Sequence, residues 1–256
     1  MAVFRAMEEN LRVTLANFSR ANSGEARELA GVAVASSGVE FPMFNSAVLT
    51  APVSTPAELD ARIRTAGRFF AARNLPWSFW VCQDWIDAGL RGSVQIVFDR
   101  SRLRLVIELP GMAAARIEPP VRRLPALTIR RVSTLDTRAD FNHIMSVAFG
   151  IPIHVASTIY EAEPTWSGGF TGYVAYFEDL PVSSAATVMT GSTLGVYAVG
   201  TLPYCQHRGY AEAAIRHALD QAGAAACTVL QSSESGFSLY SRMGFKTVTR
   251  YAVFAT

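Results

Sequence analysis

Residues 195–219 read "GVYAVGTLPYCQHRGYAEAAIRHAL". An apolar strand-like run passes through a short loop into an amphipathic helix, which places the chain among mixed α and β folds. Ala211, Ala214, Ile215, Ala218, Leu219 and Ala222 recur at steps of three and four, while Glu212, Arg216 and Asp220 fall on the other side. That spacing predicts one buried face and one wet face. The first-turn amides of such a helix have no intrahelical partners and carry the positive end of its dipole. Gly209 lets the backbone curl inward, and Ala211 leaves room for a ligand. Phosphate oxygens would then meet the amides from about Gln206 to Ala211. The alternative is an ordinary loop entering a helix.

The rest of the chain has enough apolar material for a sizeable core. Half of its 256 residues are apolar, 17% are charged, and the formal charge is +2. No dense Lys/Arg run marks a nucleic-acid face. Cys82, Cys205 and Cys227 are an odd number without metal-like spacing, so free thiols and no metal are expected. No run reaches ~18 apolar residues, so no membrane span is expected. With no signal-peptide pattern at the N-terminus, the reading is a cytoplasmic protein.

Three prolines within "IEPPVRRLPAL" (117–127) read as an extended connector. The division is therefore placed between residues 1–125 and 126–256. In the first part, helices are expected over 3–20 and from a Thr55–Pro56–Glu58 capping signal onward. Strands are expected at 29–37, 46–53, 76–83, 93–99 and 103–109. In the second, a strand at "LTIRRV" and a helix over 137–149 precede three antiparallel strands within 170–203. The 209–222 helix, a strand at 226–233, a short helix and a final strand follow. Each part sets an amphipathic helix before an apolar strand, which hints at a degenerate repeat.

The order around the opening stretch resembles the acetyl-CoA core of the GNAT superfamily of N-acetyltransferases. Its pyrophosphate loop reads [QR]-x-x-G-x-[GA], matched here by Gln206, His207, Arg208, Gly209, Tyr210 and Ala211, with Pro203 three residues before it. Its later signature, a Tyr followed four residues on by Gly-Phe, is met by Tyr240, Gly244 and Phe245. Ser233 stands where many members have Asn; Ser232 and Ser233 retain hydrogen-bonding groups. The resemblance covers roughly 128–256, and the first ~120 residues resemble the degenerate half of tandem members. It implies an α+β fold with a mixed, mostly antiparallel central sheet flanked by helices, in two similar halves.

The resemblance also implies a reaction: an amine attacks the thioester of acetyl-CoA directly. Backbone groups around Val199 and Thr201 would hold the pantetheine arm and thioester oxygen, and Tyr240 would act as general acid. Glu161, Glu163, Tyr197 and His154 are weaker candidates for the acceptor side. The acceptor is expected to be a small-molecule or peptide amine, with no nucleic acid or membrane partner, and the protein a monomer or homodimer. The other readings are a catalytically silent acyl-CoA-binding module, an aminoacyl transferase using charged tRNA, and an O-acyl acceptor.

Overall fold

The computed structural model describes residues 3–22 and 24–256. Contacts divide them into two compact units. One comprises the residues up to Met112 with Gln231–Glu234 and Thr247–Thr256; the other comprises Ala113–Leu230 and Ser235–Lys246. By contact the proline-rich 117–127 segment belongs with the second unit, and the division falls before it.

The first unit begins with helix α1 (Val3–Phe18), followed by the hairpin β1 (Glu25–Leu29) and β2 (Val32–Ser36). The single strand expected at 29–37 is thus broken: Gly31, at φ +73°, turns the chain between two antiparallel strands. β3 (Asn45–Leu49) adds antiparallel to β2, and helix α2 (Pro56–Ala71) crosses to β4 (Ser78–Cys82), which is parallel to β3. The expected strand at 93–99 is instead helix α3 (Val94–Arg100). Its alternation of Val94, Ile96 and Phe98 reads as a strand, but Val97 and Phe98 are the buried side chains and Ile96 is exposed. Phe98 stacks on Phe254 with centroids 3.9 Å apart, a contact local sequence cannot announce. β5 (Arg104–Ala114) closes this part of the chain. The last strand, β11 (Lys246–Ala255), inserts between β4 and β5, antiparallel to β4. Trp77 and Phe79 lie in this core: Trp77 stacks on Phe70 at 5.0 Å and Phe79 meets Phe98 edge-on at 5.3 Å.

The second unit repeats the scheme. β6 (Thr128–Arg131) leads to helices α4 (Leu135–Phe149) and α5 (Ile153–Tyr160). Thr134 caps α4 and Gly150, at φ +63°, ends it. The meander β7 (Phe170–Phe177), β8 (Leu180–Thr190) and β9 (Thr193–Thr201) is antiparallel throughout. Helix α6 (Tyr210–Ala222) crosses to β10 (Cys227–Gln231), which is parallel to β9, and α7 (Glu234–Arg242) follows. Strand order is β10-β9-β8-β7-β6. Two antiparallel steps, then a helical crossover to a parallel strand, recur in both units. The fold is α+β, with mixed, mostly antiparallel strand pairing flanked by helices.

Candidate active site

The site of the second unit starts where two strands part. β10 pairs with β9 only at Cys227–Val229, opposite Thr193–Gly195. β9 runs on to Thr201, so its edge beyond Gly195 has no β10 partner. Within that stretch its register against β8 slips by one residue: Ala186 faces Tyr197, but Ser184 faces Gly200. The extra residue makes a bulge at Ala198–Val199, with Ala198 at φ +50°. A left-handed alanine costs about 1–2 kcal/mol, so the surroundings must hold it. Two adjacent buried serines of β8 do so. Ser184 Oγ donates to Ala198 O at 3.0 Å and accepts from Gly200 N at 3.3 Å. Ser183 Oγ donates to Gly200 O at 2.7 Å and lies 2.8 Å from Thr201 Oγ1. Gly200 leaves little room for a side chain, since an added Cβ would lie 3.0 Å from Ile144 and 3.1 Å from Ala148. Val199 and Thr201 therefore sit in a pinned, bulged strand edge. Sequence reading did not find the serines; two hydroxyls side by side in "PVSSAATV" are the signal.

The loop after β9 makes the second part. His207 (φ +62°) and Gly209 (φ +83°) both take the left-handed conformation, and Gly209 is the N-cap of α6 without a capping side chain. Among the described residues, the amides of His207, Arg208, Gly209, Tyr210, Ala211 and Glu212 have no hydrogen-bond partner; the first amide satisfied from within is that of Ala213, by Gly209 O at 3.1 Å. Six consecutive free donors thus gather at the positive end of a 13-residue helix, a pattern of the kind that suits an anion. Tyr210 is buried and stacks on Phe177 at 5.7 Å, so its ring anchors the start of the helix. Gln206 is exposed, its side-chain nitrogen 3.5 Å from Thr201 O. One expectation about α6 is corrected: Glu212 is buried rather than wet. The Arg216 guanidinium satisfies it with two contacts at 3.0 and 2.8 Å.

The corresponding place in the first unit is closed. Thr55 Oγ1 accepts from Glu58 N at 3.2 Å, Glu58 returns a carboxylate to Ser54 N at 3.1 Å, and Pro56 has no amide to offer. Beyond the ends of β3 and β4, the chain is bridged again at Val53 and Ile86, with Val53 N donating to Trp85 O at 2.7 Å. Neither a free helix terminus nor a parted strand pair is left there.

The remaining candidates are more dispersed. Tyr240 is buried on α7, meets Phe245 edge-on at 5.8 Å, and its carbonyl accepts from Phe245 N at 3.0 Å. Burial pushes its phenol above the ordinary tyrosine range, which keeps the proton on oxygen. Its hydroxyl has no hydrogen-bond partner among the described residues. Ser232 is buried; its amide donates to Pro110 O at 2.9 Å and its hydroxyl to Ser233 O at 2.7 Å, so that hydroxyl is already engaged. Glu161 accepts from Asn142 Nδ2 at 2.6 Å, which ties α5 to α4. Glu163 lies 4.0 Å from Arg138 on the surface. His154 sits exposed on α5, a helix the sequence did not announce. Among the described residues no group of three His, Cys, Asp or Glu is placed to hold a metal, and no helix is long and apolar enough to cross a membrane.

Comparison with solved structures gives this architecture a name. The chain is similar over its full length to a GCN5-related N-acetyltransferase from Kribbella flavida, at TM-score 0.73 and 18% identity, covering 96% of that protein. One from Sphaerobacter thermophilus matches 89% of this chain and 76% of its own, at TM-score 0.58 and 17% identity. A tandem GNAT protein from the clavulanic acid biosynthesis pathway matches 88% of this chain and 78% of its own, at TM-score 0.52 and 11% identity. No family model and no curated relative matches. The fold is that of the GNAT acetyltransferases, in a chain of two halves.

Proposed function

We propose that the chain is an acetyl-CoA-dependent N-acetyltransferase whose second unit binds the cosubstrate and whose acceptor is an amine of a small molecule or peptide. One observation carries the reading: six free amides at the mouth of α6, directly after a parted and bulged β9. Diphosphate oxygens suit those donors. The bulged edge around Val199 and Thr201 offers backbone groups to a pantetheine arm and to the thioester oxygen, where negative charge develops. The amine nitrogen bonds to the acetyl carbon, the carbon–sulfur bond breaks, and the Tyr240 phenol gives its proton to the departing sulfur. The amine's surplus proton leaves to solvent, and the Tyr240 phenolate takes one back from solvent. Ser232 and Ser233, which the sequence motif implies, group by contact with the first unit, and no role is assigned to them. The first unit is read as a degenerate GNAT-like half, and its capped α2 and rebridged strands support one cosubstrate per chain.

A second reading, a catalytically silent acyl-CoA-binding module, draws on Glu161, whose carboxylate already serves Asn142. Thiol release from acetyl-CoA across a broad panel of amines, with calorimetric stoichiometry, separates the two. Turnover with one bound acetyl-CoA per chain supports the enzyme. Binding without turnover on any amine supports the silent module, and no binding removes both.

A further inference from the structure

The proline-rich segment between β5 and β6 crosses both matched motifs of the second unit. Glu118 N donates to Met243 O at 2.9 Å, and a side chain placed on Gly244 would meet Glu118 Cγ at 2.9 Å and Arg116 O at 3.1 Å. A few residues on, the same segment reaches the α6 loop. A Cβ on Gly209 would lie 3.4 Å from Pro125 Cδ and 3.7 Å from Arg122 Nη2. A guanidinium thus rests beside the residue that opens α6.

That placement sets like charge beside like charge, softened by water because Arg122 is exposed. A cation near a helix N-terminus faces the positive end of the dipole. The residue beside it, Gly209, belongs to a run of six amides that are all donors. Among the described residues nine of the 22 arginines, Arg62, Arg73 and Arg216 among them, form ion pairs with carboxylates. Among the described residues, Arg122 has neither a carboxylate within reach nor a hydrogen-bond acceptor. Pro119, Pro120 and Pro125 restrict the backbone on both sides of it, which fixes where its exposed side chain starts. A planar fork of donors beside a row of donors is complementary to one thing, an anion with several oxygens.

We infer that Arg122 is a phosphate ligand, supplied from the connector to the cosubstrate held at the α6 loop. This rests on the reading of that loop as the acetyl-CoA site. It adds a side-chain contact to a row of backbone donors, and it makes the connector part of the binding site. Arg123, its neighbour, makes no contact with Gly209 and serves as the control.

The test is calorimetric titration of the full chain with coenzyme A. Arg122→Gln should weaken binding about 10- to 100-fold, as expected for one lost charge-assisted contact, and should flatten the dependence of affinity on salt. Arg123→Gln should stay within about twofold of wild type. Circular dichroism confirms that each variant is folded. Affinity of Arg122→Gln within twofold of wild type, in a chain where Gly209→Asp abolishes binding, overturns the role of Arg122 and leaves the loop reading standing. Equal losses in the Arg122 and Arg123 variants would mean diffuse charge attraction and also overturn it. A wild-type chain that does not take coenzyme A overturns the loop reading and this one together.

Discussion

Glu8 should make the first unit sensitive to pH between about 4.5 and 7. It sits on α1 and is buried, with Trp85 Nε1 donating to its carboxylate at 2.7 Å. Burial raises its pKa from 4.5 to about 7, against the lowering influence of Tyr251, Trp85 and Arg12; Asp84 nearby adds to the rise. Below pH 4.5 both folded and unfolded chains hold the proton, so this group leaves stability untouched. Between pH 4.5 and 7 the unfolded chain releases the proton while the folded chain keeps it, so stability falls as pH rises. Above 7 both forms are ionised and the loss is constant. At about 1.4 kcal/mol per pH unit, the gap amounts to roughly 3 kcal/mol. Glu8→Gln keeps the shape and an acceptor for Trp85 without a titrating group. Its stability advantage over wild type should grow from near zero at pH 4.5 to about 3 kcal/mol at pH 8. Urea unfolding followed by tryptophan fluorescence measures it, since Trp77, Trp80 and Trp85 of the chain's four tryptophans lie in this unit. An advantage that is flat across that range would refute the argument.

Gly209→Asp puts a carboxylate where phosphate would sit and forces a side chain into φ +83°; acetyl-CoA affinity should fall at least about tenfold, and unchanged affinity in a folded variant by calorimetry would remove the loop from the site. Tyr240→Phe keeps the ring packed on Phe245, so stability should barely move while turnover falls about 10²–10⁴-fold with little change in the Michaelis constant for acetyl-CoA; full turnover, with chemistry rate-limiting, would return the tyrosine to the core. Ser184→Ala strips Ala198 O and Gly200 N of a buried partner. It should cost about 1–3 kcal/mol in thermal unfolding and lower turnover through the loosened bulge, and a variant as stable and active as wild type would show that the bulge holds itself.

The parts legible in sequence were those set by neighbours in the chain. The Thr55–Pro56–Glu58 signal, the apolar period of α6 and the left-handed Gly209 all follow from interactions within a few residues. What was missed depends on distant partners. Glu8 and Glu9 look alike in sequence, yet only Glu8 is buried. Glu212 is the exception: its partner Arg216 is one turn away, yet it lies on what reads as the wet side of α6 and is buried. Val94–Arg100 fits a strand until Phe254 supplies the surface its helix packs against. The bulge at Ala198 has no glycine to mark it, because Ser184 holds the strain from the neighbouring strand.

β11 inserts between β4 and β5, and this orders events during synthesis. When a ribosome has made the first 112 residues, the nascent chain holds β1 to β4 and most of β5, but lacks the strand that separates β4 from β5. The edge of β4 that will pair with Tyr251–Ala255 must stay unpaired while the whole second unit emerges. The first unit to be translated is therefore the last to be completed, and a chain cut short before Lys246 would lack an interior strand of it.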